Sequence, residues 1–189
     1  ADYIVVNISS PNTPGLRELQ IQSSLERLIS AVLEERERSG QKPPIVLKIA
    51  PDLEDQDIRE IADSAERFNV DGLIATNTTT DRLSSLRSNN KNMQGGLSGR
   101  PLMGKSTSVL KLLYQHTRGN IPIIGVGGVF TGEDAYLKIR SGASLVQIYS
   151  ALIYRGPYAA VGISSELSFL LKRDGFKNIQ EAIGVDVPL

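Results

Sequence analysis

Apolar residues in this chain gather in five short blocks, at residues 3–6, 45–49, 72–75, 121–126 and 144–149. Each block is rich in Val, Ile or Leu and apolar at both alternating positions. Strands covered on both faces read this way, which means parallel strands. Between the blocks the apolar period shifts to that of a helix. Leu25, Leu28, Ile29, Val32 and Leu33 predict a first helix that runs into a charged end at 34–38 and stops at Gly40. Ile58, Ile61, Ala62, Ala65 and Phe68 predict a second, with Asp52 and Asp55 as a near capping box ahead of it. Val109, Leu110, Leu112 and Leu113 mark a third. Thr131 with Asp134 caps a fourth that Gly142 ends, and Ile163, Leu167, Leu170 and Leu171 carry a fifth.

Strand, loop and helix in repetition predict an α/β protein with a parallel sheet. Two architectures fit: a complete doubly wound sheet, or about the last five βα units of a (β/α)8 TIM barrel. The residues that follow the strands favour the barrel. Each expected strand leads into polar side chains or glycine: residues 7–13, Lys48, Thr76-Asn77-Thr78, Gly127-Gly128 and Tyr149-Ser150. All strand ends share one mouth in a barrel. In an open sheet only the strands beside the switch point do. Residue 1 opens almost directly into the first strand, with no cap, linker or targeting pattern. The expectation is a piece of a larger fold, residues 1–189 being the C-terminal portion of a single barrel domain. Five strands alone leave two bare edges, so the remaining N-terminal part of the barrel is an expected partner. The longest polar stretch, 81–94, reads either as a lid over the site or as a surface excursion.

Composition narrows the chemistry. Lys+Arg and Asp+Glu stand at 21 each, which leaves no basic field for nucleic acid. Cysteine is absent and His116 is the single histidine, so no metal site is expected and a Ser-His pair is hard to build. His116 reads as a surface residue near a helix end. No apolar run reaches the ~18 residues of a membrane span.

What remains is rich in amides, hydroxyls and glycine. Asn7-Ile8-Ser9-Ser10-Pro11-Asn12-Thr13-Pro14-Gly15 follows the first strand, and its prolines stiffen a loop whose side chains pack no core. It reads as a site for a flat polar ligand or as an Asx turn leading into a helix. Gly125-Val126-Gly127-Gly128 leaves a strand toward a helix, where bare amides can face an anion. A tight turn is the plainer reading, and the spacing is no dinucleotide fingerprint. Gly95-Gly96-Leu97-Ser98-Gly99 offers further close backbone approach. Lys48 sits within an apolar strand, as a fixed charge beside a cofactor, a Schiff-base amine, or a side chain that reaches solvent at the mouth. The glycosylation triplets at Asn7 and Asn77 follow apolar runs and are set aside. With no carboxylate pair, metal ligands or histidine base, the chemistry points to a phosphate-bearing cofactor such as FMN. A Schiff-base lyase or aldolase using Lys48 is the alternative, and a non-catalytic phosphate-binding barrel a third.

Six blocks carry a resemblance: NISSPNT at 7–13, VLKIAPD at 46–52, ATNTT at 75–79, GGLSGRPL at 95–102, PIIGVGGV at 122–129 and GASLVQIY at 142–149. In this order, over nearly the whole chain, the sequence resembles the class 2 dihydroorotate dehydrogenases. The resemblance implies a (β/α)8 barrel that binds FMN and oxidises dihydroorotate to orotate in pyrimidine biosynthesis, with ubiquinone as the electron acceptor. It implies Ser10 as the base that takes the C5 proton while hydride leaves C6 for the flavin. Soluble class 1 relatives place Cys there, so Ser10 points to the quinone-linked class. Thr13 matches a residue that orients a proton-relaying water. Asn7, Asn12, Asn77 and Thr78 match residues that grip the pyrimidine and its carboxylate. Lys48 matches the lysine beside the flavin N1/O2 edge, which stabilises the anionic reduced ring. Asn7, Thr76, Gly99, Gly127, Gly128, Tyr149 and Ser150 match flavin contacts. The family's membrane-associated N-terminal helices and first strands have no counterpart here. A mitochondrial inner membrane is the implied location, with the cytoplasmic face of a bacterial inner membrane as the alternative.

Overall fold

The computed structural model describes residues 1–189. Five strands form one parallel sheet: β1 (Ile4–Asn7), β2 (Ile45–Ile49), β3 (Gly72–Ala75), β4 (Ile123–Val126) and β5 (Leu145–Gln147). Their order in space is their order in the chain, and every neighbouring pair is parallel. A doubly wound sheet reverses strand order at its switch point. This one does not, so the chain is an arc of five successive βα units of a (β/α) barrel. Helices α1 (Gln22–Arg38), α2 (Asp55–Arg67), α3 (Met103–His116) and α4 (Gly132–Arg140) follow the first four strands in turn. Two helices follow β5: a short α5 (Ser150–Arg155), which the periodicity did not predict, and α6 (Ala159–Arg173).

Strand alternation sorts the core. Leu47, Ile49, Leu73, Ala75 and Ile123 face outward and pack on Leu25, Ile29, Ile58, Ile61, Leu110, Leu113 and Ile139 of the helices. Val46, Ile74 and Ile124 face the concave side with Val126. Lys48, two residues after Val46, therefore lies on the concave side too, beside Ile74 in the register.

Two expectations fail for physical reasons. The first strand is not buried: Ile4 and Val5 are 43% and 37% exposed, and Leu145 on β5 is 60% exposed. These are the sheet's two edge strands, and within these residues nothing covers them. The Asp52–Asp55 capping box does not form. Glu54 is the N-cap of α2 and makes no side-chain cap bond. The Asp52 carboxylate is occupied elsewhere, as described below. The Thr131–Asp134 capping box of α4 is present, with both reciprocal bonds made.

Candidate active site

The strand ends converge on one rim. Asn7 at the end of β1 lies opposite Lys48 of β2. Asn77, just past β3, donates from Nδ2 to Asn7 Oδ1 and to Ser9 Oγ, both at 3.1 Å. Ser9 in turn donates to Asn7 Oδ1 at 3.0 Å. Asn77 Oδ1 accepts the Thr78 amide at 2.8 Å. These polar side chains thus fix one another, and ordering them costs little when a ligand arrives. Lys48 is half-buried on this rim and makes no hydrogen bond or ion pair within the chain. Burial alone draws its pKa down from the ordinary lysine value.

Beside Lys48 opens a cavity of about 420 Å³, within the general range of small-molecule sites. Lys48, Thr76, Asn77 and Thr78 line one side, Ser98 and Gly99 another, and Gly127, Gly128, Val129 and Phe130 a third. Gln147, Ile148, Tyr149, Ser150 and Ala151 complete the wall, with Leu102 and Val126 at the base. The amides of Gly127, Gly128 and Val129 make no hydrogen bond within the chain. Gly128 has φ 81°, and a Cβ there would stand 2.5 Å from Met103 Cβ and 2.8 Å from Met103 N. Only glycine lets this turn press against the first residue of α3 and leave its amides bare. Phe130 carries Arg100 over its ring at 5.1 Å.

A charged hub stands on the other flank. Asp52, three residues beyond β2, accepts hydrogen bonds from Arg17 Nη1 at 3.0 Å, Lys105 Nζ at 2.7 Å, the Thr80 amide at 2.9 Å and the Thr79 hydroxyl. Burial pushes the Asp52 carboxyl up, but the bonds from Lys105, Thr79, Thr80 and Arg17 outweigh it and hold it well below the usual carboxylate range. Arg17 also reaches backbone: its Nε donates to the Ser9 carbonyl at 3.3 Å and its Nη2 to the Thr78 carbonyl at 3.1 Å. One guanidinium therefore pins the loop after β1 to the loop after β3. The 81–94 stretch is anchored at its base by Arg82, which donates to the Met93 carbonyl at 2.8 Å and the Gly95 carbonyl at 2.6 Å.

The cavity brings together Lys48, Thr76, Asn77, Thr78, Gly99, Gly127, Gly128, Tyr149 and Ser150. Asn7 joins through Asn77. Ser10 and Asn12 do not line it. They sit in the adjoining loop, where the Asn12 amide donates to Ser10 Oγ at 3.3 Å. That loop is close: a Cβ on Gly96 would meet Thr78 Oγ1 at 1.8 Å and Pro11 Cγ at 3.0 Å. Sequence reasoning gave Arg17 and Lys105 no role, read Asp52 as a helix cap, and gave Ser9 no role of its own within the loop. Arg17 and Lys105 meet Asp52 across 35 and 53 residues of chain, and no local spacing signals such pairs.

A parallel arc with amides, an unpaired lysine and a glycine turn at its strand ends defines an α/β barrel protein with a pocket at the C-terminal ends of its strands. Comparison makes this specific: residues 1–171 match the dihydroorotate dehydrogenase family, and the chain belongs to it. The chain is 50% identical to a dihydroorotate dehydrogenase (quinone) of Xanthobacter autotrophicus, over 99% of this chain and 54% of that protein. It is 52% identical to a mitochondrial dihydroorotate dehydrogenase (quinone) of Mus musculus, over 98% of this chain and 48% of that one. The crystal structure of ligand-free dihydroorotate dehydrogenase from Eimeria tenella superposes with a TM-score of 0.96 at 46% identity, covering 100% of this chain and 56% of that one. The chain thus spans about half the length of the curated relatives it matches. No helix in it is long and apolar enough to cross a membrane.

Proposed function

We propose that this chain is the C-terminal portion of the barrel of a quinone-linked dihydroorotate dehydrogenase, which oxidises dihydroorotate to orotate for pyrimidine synthesis. The observation that carries the reading is the single cavity in which Lys48, Asn77, Thr78 and the Gly127-Gly128 turn meet. Three bare amides in a turn that tolerates no Cβ suit a phosphate, and the Ser98 and Ser150 hydroxyls nearby, 3.1 Å from each other, add donors. These residues fit flavin mononucleotide. Gly127, Gly128, Gly99, Tyr149 and Ser150 would hold it, with Thr76 and Asn7 nearer the ring and Lys48 supplying positive charge beside it. When bound, the flavin supplies the two-electron acceptor for the hydride lost from C6 of dihydroorotate.

The chain's own residues do the rest. Ser10 takes the proton from C5. The Asn12 amide pointing at Ser10 Oγ supports negative charge on that oxygen. Asn7, Asn77, Asn12 and Thr78 bind the pyrimidine amides and the carboxylate, and the bonds among Asn7, Ser9 and Asn77 keep those groups oriented before substrate arrives. Electrons then pass to ubiquinone. Membrane contact belongs to parts outside these residues, at the mitochondrial inner membrane or, in a bacterium, the cytoplasmic face of the inner membrane.

The test is direct. The whole protein should purify yellow with one flavin mononucleotide, and dihydroorotate should bleach it. Ser10→Ala should keep the bound flavin while its reduction by dihydroorotate collapses; an unchanged reduction rate removes Ser10 from the role. Borohydride trapping of a covalent adduct on Lys48 would replace this reading with a Schiff-base lyase.

A further inference from the structure

Behind the glycine turn, on the side away from the cavity, lies a lysine with no place in the chemistry above. Lys138 of α4 is fully buried. Its Nζ donates to Ser106 Oγ of α3 at 2.6 Å, and that is its one hydrogen bond. Ser106 is also fully buried. Its hydroxyl reaches the Gly127 carbonyl at 3.1 Å and the Met103 carbonyl at 3.2 Å. The packing is close: a Cβ on Gly127 would stand 2.8 Å from Ser106 Oγ, and one on Gly125 would stand 3.3 Å from Lys138 Cβ.

A buried ammonium without a counterion is costly, and chains rarely keep one. Asp134 is the acid whose charge reaches Lys138, and its carboxylate is bonded elsewhere. Asp134, one turn back on α4, accepts the Phe130 and Thr131 amides at 2.8 and 2.9 Å. The acids of α6 and its C-cap are also taken: Glu166 accepts the Gly132 amide and Arg155, and Asp174 accepts the Tyr136 hydroxyl and Arg173. On the α3 side the one hydrogen-bond partner of Lys138 is the neutral Ser106. Burial accordingly pushes the Lys138 pKa down to about 7, with Asp134 partly opposing it. The Gly127–Gly128 turn that Ser106 holds lines the cavity, and its amides make no hydrogen bond within the chain, so an anion bound there would be the balancing charge that Lys138 lacks.

We propose that Lys138 is a positioning residue of the anion cradle, acting through Ser106 on the Gly127 carbonyl, and that a ligand phosphate is its counter-charge. The ammonium polarises the Ser106 hydroxyl, which donates to the Gly127 carbonyl. That bond fixes the peptide plane and strengthens the Gly128 N–H as a donor to the anion. Lys138 touches neither substrate nor flavin. The inference rests on the flavin mononucleotide reading of the cavity, and riboflavin, which lacks the phosphate, separates the two.

Affinity of the whole apoprotein for flavin mononucleotide and for riboflavin is measured by quenching of flavin fluorescence, in wild type, Lys138→Met and the Lys138→Met/Ser106→Ala pair. The pair removes the Ser106 hydroxyl together with its ammonium donor, at the cost of the bond to the Gly127 carbonyl, and it keeps the test alive if the single variant fails to fold. Wild type should prefer the mononucleotide, and both variants should lose that preference by roughly tenfold or more while riboflavin affinity holds. Equal weakening toward both flavins marks Lys138 as packing alone and overturns the inference, as does an unchanged preference. A wild type that binds neither flavin, or both equally, overturns the cofactor reading and the inference with it.

Discussion

Asp52 and Lys138 are ionisable side chains drawn out of water on opposite flanks of the cavity, and their surroundings differ in kind. Asp52 collects two cations, two hydroxyls and an amide. Lys138 has one neutral hydroxyl. The carboxyl is held below its usual range and the ammonium well below its own. A group whose charge is satisfied inside the chain fastens loops: Asp52 and Arg17 join the segment after β1, the end of β2 and the segment after β3. A group whose charge is left unsatisfied stores an attraction for something the chain does not contain. The first is suited to holding the loop after β1 still, the second to meeting an anion.

The largest break in this comparison comes from Asp52→Ala. Arg17 and Lys105 would then face each other's charge in a partly buried site, while the Thr79 hydroxyl and Thr80 amide lose their acceptor. Because both cations keep some contact with water, the expected loss is roughly 2–4 kcal/mol, below that of a fully buried broken pair. Chemical denaturation of the whole protein measures it. The sign with pH follows from the depressed pKa: the contribution of Asp52 is complete above the ordinary carboxylate value and fades as acid approaches its folded value. Asp52→Asn should therefore flatten the acid limb of the stability curve. A limb as steep as wild type's would show that Asp52 is not the group titrating there.

Arg17→Met sharpens the comparison by removing the link and keeping the apolar stem. The Ser9 and Thr78 carbonyls lose a common donor. The loop carrying Ser10 is then free to shift against Thr78. Turnover of dihydroorotate should fall roughly ten- to a hundredfold, since small misplacements of reacting groups cost on that scale. Flavin affinity should stay near wild type, because the glycine cradle lies on the other flank. Parallel losses of flavin and turnover would mean that the two flanks are not independent.

How each flank read from sequence follows from where its partners sit in the chain. The barrel arc was legible because parallel strands repeat a local apolar signature and each strand end adds polar residues at a fixed place. The cradle was legible because Gly127 and Gly128 are adjacent. The Asp52 hub was not: Asp52 resembled a helix cap three residues from Asp55, and only the fold brings it Lys105 and Arg17. Lys138 was hidden differently. A lysine on a short helix is ordinarily a surface residue, and the sequence gives no reason to bury this one; Gly125 on β4 admits its stem. The exposure of β1 was misread because an apolar run cannot say whether its neighbouring strand lies within the same residues.

The smallest effect is the one that most cleanly separates the flanks. Lys138→Met should make the flavin-free protein more stable by roughly 1–2 kcal/mol near pH 6, the relieved cost of a lone buried charge less the bond to Ser106. The substitution acts in the opposite direction to Asp52→Ala, although stability rises with pH through the interval of either group. With the folded pKa near 7 and the unfolded one near the ordinary 10.5, the unfolded chain binds the extra proton between those values. Wild-type stability therefore climbs through that interval, and the gain from methionine shrinks to nothing by its upper end. Thermal melts of both proteins across that range read the convergence. Saturating flavin mononucleotide should abolish the gain at low pH, because the phosphate restores to Lys138 the charge partner that methionine makes unnecessary. Melting curves that stay parallel at every pH, with or without flavin, would mean the lysine finds its counter-charge within the chain, and the contrast with Asp52 would dissolve.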